Sequence, residues 1–196
     1  MLATVVNRRQ EQEAAEAWRA AGQLAELVAR GGRPPAIAPT ILLRPDEVQH
    51  GSLYLDCQTY STADVRHTTE YPLNPTLFGA ATSALRNARN RSRARQLARA
   101  QWRSLGHVAT VITNQRLLLL IDNQWSTFDL SLLVGMQPDV RQWSVLLTFE
   151  ATPPLLLRGP WAPWLVVVIS ACRYGTPWPP GTPPPQTSMQ PGWEGT

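Results

Sequence analysis

The fold class is decided by residues 106–120, which read GHVATVITNQRLLLL. Residues 108–113 are rich in β-branched side chains, which favour strands, and Asn114-Gln115 supply a polar turn before a second apolar run. Asp122-Asn123 then precede another strand-like stretch, residues 125–130. Three successive short strands are the simplest interpretation.

The strand pattern continues on both sides of this region. Downstream, residues 132–136, 142–149 and 154–157 are short apolar stretches separated by proline-containing turns. Upstream, in residues 51–60, apolar side chains alternate with polar or aromatic ones, the period of a half-buried strand. Regularly spaced short strands predict an antiparallel meander or a small barrel.

A last apolar segment follows Gly159 and ends at Tyr174, directly before Gly175. Proline in the first turn and glycine just past the end are typical of a helix. Residues 166–169, however, are Val-Val-Val-Ile, which are poor helix formers, so a buried strand remains the alternative.

The N-terminal residues 7–30 consist mainly of strong helix formers, and Gly31-Gly32 and Pro34-Pro35 end the pattern. We therefore predict one helix. Its apolar stripe, which can dock on the domain or on another chain, comprises Trp18, Ala21, Leu24, Ala25 and Val28.

The run of residues 106–120 resembles the hairpin of bacterial pleckstrin-homology-like and GRAM-like domains, in which a T-N-x-R-L stretch joins two strands. Residues 125–133 look like the next strand of those domains, and residues 155–161 look like the entry to their closing helix. The resemblance covers roughly residues 45–175. It implies an α+β, mainly β fold: a small antiparallel pleckstrin-homology-like barrel or roll with a capping C-terminal helix.

The T-N-x-R-L residues suit structural roles. Thr113 can end a strand, Asn114 tolerates the backbone of a turn, and the Arg116 side chain can reach a carboxylate such as Asp122 or Asp129. A long insertion separates the first strand from Gly106, so only the fold is carried over from the family.

The chain organisation follows from these elements. Residues 1–44 form the helix and a proline-containing linker, and residues 45–175 form the domain, with a basic helical insertion at about 76–104. Residues 176–196 contain seven prolines and are predicted to be a disordered tail, acting as a spacer or docking on a partner through polyproline segments.

Positive charge is concentrated in the insertion. All 18 basic residues are arginine, and residues 71–121 contain eight of them with no Asp or Glu. Seven are predicted to bind an anionic surface from a helix, with a plain solvated arginine face as the alternative: Arg86, Arg89, Arg91, Arg93, Arg95, Arg99 and Arg103.

The sequence has no recognisable catalytic or metal-binding motif. The three histidines have no ligand spacing, the two cysteines are far apart, and neither a glycine-rich phosphate loop nor a G-x-S-x-G motif occurs. We expect no enzyme, no cofactor and no metal. Because residues 1–10 lack an apolar signal core and residues 164–172 are too short to cross a bilayer, we expect a cytoplasmic protein, or one at the membrane periphery.

Together these observations predict a non-catalytic interaction module: an adaptor or a peripheral membrane-surface binding protein. The predicted partner is an anionic phospholipid surface or another protein. The alternative is a nucleic-acid-binding protein that uses the basic helix of residues 86–103.

Overall fold

The computed structural model describes residues 2–61, 101–179 and 181–182, with the backbone alone for residues 2–9. The mainly β, α+β class is confirmed. In chain order the elements are α1 (Leu2–Ala29), β1 (Gln49–Ser61), β2 (Gln101–Thr113), β3 (Arg116–Ile121), β4 (Gln124–Asp129), β5 (Leu133–Asp139), β6 (Ser144–Phe149), β7 (Leu155–Arg158) and α2 (Ala162–Tyr174). Two short 3₁₀ turns, Leu130–Leu132 and Val140–Gln142, flank β5.

The seven strands form one antiparallel sheet in the order β4-β3-β2-β1-β7-β6-β5, which curls into half of a barrel. The central strand β1 pairs with β2 along almost its whole length. It pairs with β7 only from Asp56 to Thr59, because β7 ends at Arg158 opposite Asp56. Within the described residues, the first half of β1 therefore has β2 as its only neighbouring strand.

A β-bulge bends the long β1–β2 hairpin. Cys57 lies opposite Gly106 and Gln58 lies opposite Ser104, so Leu105 is the extra residue on β2. Gly106 adopts a φ of 85°, which a residue without a Cβ reaches at little cost. The bulge increases the local twist and helps the sheet to curl.

The two tight turns predicted in the meander are present but differ in conformation. Asp122 and Asn123 have φ values of 49° and 64°, as a two-residue type I′ hairpin turn requires. Asn114 has no positive φ, so the first turn does not use the backbone tolerance of asparagine that we expected. Its side chain instead accepts a hydrogen bond from the Val48 N–H at 2.7 Å and holds the preceding loop.

The terminal segment is a helix, so the buried-strand alternative is wrong. Residues 165–169 are fully buried, because the sheet covers one side of α2 and α1 covers the other. Burial on all sides outweighs the weak helix propensity of valine and isoleucine. Gly175, with a φ of 67°, ends the helix as predicted, and its N–H donates to the Ala171 carbonyl at 3.1 Å.

The apolar stripe of α1 docks within the same chain, on α2, and so forms a third layer over the sheet. Ala21, Leu24 and Val28 are buried there, together with Ala17. Trp18 is half-buried and makes an edge-to-face contact with Trp143 at 5.7 Å.

Two tryptophans owe their burial or exposure to the tertiary fold. Trp178 was placed in the disordered tail, but it is only 5% exposed and belongs to the core. The Thr176 hydroxyl donates to the Trp178 carbonyl and folds the chain back. The same hydroxyl contacts the Ser170 hydroxyl of α2 at 3.3 Å. Trp125, in the strand-like stretch 125–130, is 46% exposed because β4 is an edge strand. The folded part therefore extends beyond Trp178 to Pro179, which is also buried. Residue 180 and residues 183–196, where the rest of the predicted tail falls, lie outside the described residues.

Candidate functional site

The predicted basic site falls mostly outside the described residues. Arg86, Arg89, Arg91, Arg93, Arg95 and Arg99 all lie in the segment 62–100. Arg103 is described, and it corrects the prediction, because residues 101–104 belong to β2 and not to a helix. Pairing with β1 forces the extended conformation there: Thr59 lies opposite Arg103, and the Arg103 Nε donates to the Ser61 carbonyl at 3.3 Å.

An exposed aromatic pair lies at the point where the segment 62–100 leaves and rejoins the sheet. Tyr60 and Trp102 are directly opposite each other on β1 and β2, with ring centroids 5.4 Å apart. Tyr60 is 42% exposed and Trp102 is 43% exposed. We call Tyr60 and Trp102 the root pair. Sequence reasoning missed it because 42 residues separate the two rings along the chain.

The described part of the chain carries no excess charge. It contains eleven Arg and eleven Asp or Glu, whereas the segment 62–100 contains seven Arg and two acidic residues. The positive charge of the protein therefore lies in the segment that the root pair flanks. The body itself has no net charge with which to attract an anionic partner.

At the opposite end of the β1–β2 hairpin lies a buried ion pair, which we call the Glu47 cluster: Glu47, Thr113 and Arg116. The Glu47 carboxylate is inaccessible to solvent and accepts from Arg116 Nε at 2.7 Å and Arg116 Nη2 at 3.0 Å. The Thr113 hydroxyl donates to it at 2.7 Å. Thr113 and Arg116 both belong to the T-N-x-R-L stretch, whose structural role is thus visible.

Burial acts to raise the pKa of Glu47, but the hydrogen bonds and the nearby charge act against it. The bonds from Arg116, from the backbone N–H of Arg44 and from Thr113 all lower the pKa, and so does the positive charge of Arg116. The result is a pKa of about 2, against an ordinary value of 4.5. The cluster is permanently ionised at neutral pH and has no proton to exchange, which is the behaviour of a structural pair.

Arg116 therefore has a different partner from the two that the sequence suggested. Asp129 lies opposite Arg116 in the β3–β4 register, yet it forms an ion pair with Arg44 Nη1 at 3.2 Å. Asp122 lies at the far end of β3, in the type I′ turn. Glu47, and neither Asp122 nor Asp129, pairs with Arg116, because the linker before β1 folds against the β2–β3 turn. Gln115 Nε2 in that turn also donates to the Pro45 carbonyl.

A second candidate site is a cavity of about 720 Å³ beside the first half of β1, which we call the β1 cavity. It opens where β7 ends while β1 continues, and residues of α1 and of the segment just before α2 line its other sides. Its polar and aromatic lining includes Glu13, Tyr54, Asp56, His107, Arg158, Trp161 and Trp164. Such volumes are common for small-molecule sites.

Three titratable side chains form a row across the strands at one wall of the β1 cavity. In the sheet register Asp56 lies between His107 on β2 and Arg158 on β7, so all three share one face. Asp56 Oδ1 and His107 Nδ1 are 3.0 Å apart, and the His107 ring stacks on Tyr54. The carboxylate is thus engaged on the side away from Arg158.

Other chemistry has little support among the described residues. Burial raises the pKa of Cys57 to about 12 and that of Cys172 to about 11, so neither thiol is ionised at neutral pH. No group of three His, Cys, Asp or Glu in the described ranges is placed to hold a metal ion. In those same ranges, none of the helices is both long enough and apolar enough to cross a membrane.

Known proteins add no identification to this geometry. Comparison of the chain with protein-family models, with curated proteins and with solved structures gave no match.

Proposed function

We propose that this chain is a non-catalytic interaction module of pleckstrin-homology-like architecture that attaches reversibly to anionic membrane surfaces. One observation carries the proposal. An exposed Tyr–Trp pair flanks the segment that holds the positive charge of the protein, on a body that is otherwise neutral. The seven antiparallel strands followed by a closing helix support the architecture, as does the T-N-x-R-L hairpin.

The root pair and the arginines offer the two kinds of contact that such a surface requires. Tyrosine and tryptophan have an apolar ring with a polar end and are enriched at the boundary between lipid and water. Arginines near an anionic leaflet contribute about 1 kcal/mol each. Neither contact needs a pocket, so the insertion can supply the contacts even though it interrupts the loop between the first two strands.

Nucleic acid is the alternative partner. Aromatic side chains also stack on bases, and arginines also neutralise phosphates. The described residues place one aromatic pair at the root, whereas single-strand binding surfaces carry a series of stacking rings along a basic groove. We therefore favour the membrane surface and make nucleic acid an outcome of the test.

The first test is sedimentation of the full chain with vesicles of phosphatidylcholine, with and without phosphatidylserine. We expect binding only to the anionic vesicles and weaker binding as the salt concentration rises. Changing Arg91, Arg95 and Arg99 to Ala should weaken binding about a hundredfold, since about 1 kcal/mol is lost per arginine. The matched control changes Arg19, Arg30 and Arg141 to Ala, which removes the same charge from the neutral body and should cost a small fraction of that loss.

Equal losses from both triple variants would show that net charge, and not this segment, drives binding. A parallel titration with single-stranded and duplex nucleic acid separates the alternative. Binding to nucleic acid with a steep salt dependence, together with no sedimentation on anionic vesicles, would replace the membrane proposal.

A further inference from the structure

We infer that the β1 cavity binds a small organic carboxylate with a flat apolar or aromatic body. This site is separate from the root pair. It lies beside the first half of β1, whereas the root pair lies at the end of β1 that borders the segment 62–100. Arg158, the aromatic walls and two carboxylates of the lining define the chemistry of the β1 cavity.

Arg158 lacks a partner within the described part of the chain. Its Nε is buried without a hydrogen bond, and the guanidinium has no ion pair there. The nearest carboxylate in the register, Asp56, is bonded to His107 on the opposite side. Leaving a partly buried charge unpaired is costly, and the planar guanidinium offers parallel N–H donors that match a carboxylate.

The walls indicate the body of the ligand. The rings of Tyr54, Trp161 and Trp164 line the cavity, and Trp161 and Trp164 meet edge to face with centroids 6.3 Å apart. Trp161 is fixed further by its Nε1, which donates to Glu13 Oε1 at 3.1 Å. A cavity of about 720 Å³ is far larger than a bare anion needs and holds a ring as well.

The charges in the lining select a monoanion over a dianion. Glu13 and Asp56 both face the cavity, and each already has a donor, Trp161 and His107 respectively. Their negative charge repels a doubly charged phosphate more strongly than a singly charged carboxylate. Arg158 is the one arginine in the lining, so it can pair with one carboxylate group.

The test is an NMR titration of the full chain with benzoate, benzyl alcohol and phenyl phosphate, observing the indole N–H signals. We expect benzoate to shift Trp161 and Trp164, assigned with Trp161→Phe, and to bind at least about tenfold more tightly than benzyl alcohol. Phenyl phosphate should bind more weakly than benzoate. Arg158→Gln should weaken benzoate binding at least about tenfold, whereas Arg141→Gln, the same charge change in a turn outside the cavity, should leave it unchanged.

Equal affinity for benzoate and benzyl alcohol in the unaltered protein would overturn the inference, and this comparison does not depend on whether any variant folds. Tighter binding of phenyl phosphate would overturn the monoanion assignment. Undiminished benzoate binding by a folded Arg158→Gln protein would exclude Arg158 as the anchor. Each of these results is independent of vesicle binding, so this inference and the membrane proposal can fail separately.

Discussion

The two ends of the β1–β2 hairpin differ in which side chains they bury and which they leave exposed. At one end, the Glu47 cluster removes an arginine and a carboxylate from water and gives each of them partners. At the other end, the root pair leaves two large rings half in solvent beside an arginine-rich segment. A charge buried with its partners supports the fold, whereas aromatic rings left exposed next to unbalanced charge are available to a partner.

Removal of the buried Glu47 carboxylate is expected to have the largest effect on stability. Glu47→Ala should lower the free energy of unfolding by about 3–5 kcal/mol, because it leaves the mostly buried Arg116 guanidinium without its counter-ion. Urea denaturation measures the change. Glu150→Ala, at an exposed position, should alter it by less than about 0.5 kcal/mol. A loss below about 1 kcal/mol at Glu47 would contradict the structural role of the cluster.

Protonation of Glu47 by acid should lower the stability by a slightly smaller amount. The pKa of Glu47 is about 2 in the folded chain, against an ordinary 4.5, so the unfolded chain holds the proton more tightly. The stabilisation is therefore complete above pH 4.5 and disappears as the pH falls towards 2, a total of about 3 kcal/mol.

The measurement compares urea unfolding of the unaltered chain and of Glu47→Gln at several pH values. Because other carboxylates titrate in both proteins, the difference in their stabilities isolates Glu47. That difference should shrink as the pH drops from 4.5 towards 2. A difference that is constant over this range would mean that the carboxylate is not held ionised in the folded state.

The smallest effect on stability is expected at the other end of the hairpin. Changing Tyr60 and Trp102 together to Ser should cost only about 1 kcal/mol of stability, because the rings are nearly half exposed and contact each other. The same change should weaken binding to phosphatidylserine vesicles about tenfold. Trp125→Ser removes an equally exposed tryptophan from the distant edge strand β4 and should leave vesicle binding intact.

If the root-pair variant unfolds at low denaturant while its vesicle binding is unchanged, the two rings stabilise the fold and do not contact the membrane. The rings would then be part of the core. That outcome would also remove the observation on which the proposed function rests.

Local patterns predicted the elements well because each pattern reflects one chain segment. The alternation around Leu53, Leu55 and Cys57 predicted β1, and proline and glycine at the two ends predicted α2. The end of the insertion was harder. Residues 101–104 look helical with the arginines before them, and only pairing with Tyr60 and its neighbours makes them a strand.

The candidate sites were largely hidden from the sequence. Asp56 and His107 are 51 residues apart and meet only because the β1–β2 register places them opposite each other. Arg158 reads as an ordinary strand-end residue until the sheet shows that its neighbour Asp56 is already engaged. The T-N-x-R-L stretch was noticed, but its carboxylate partner lies in the linker before β1, where no local signal identifies it.

Sequence patterns alone were enough for the mainly β class, the N-terminal helix and the concentration of arginine between the first two strands, and they favoured a helix for the C-terminal segment. These follow from propensity, hydrophobic period and composition, which act over a few neighbouring residues. Tertiary structure alone decided that Trp178 is buried, that Trp125 is exposed, that Glu47 takes Arg116 and that Arg158 is left facing a cavity. Burial and pairing depend on which distant segments meet, and that is fixed only when the strands take their register and the chain closes over them.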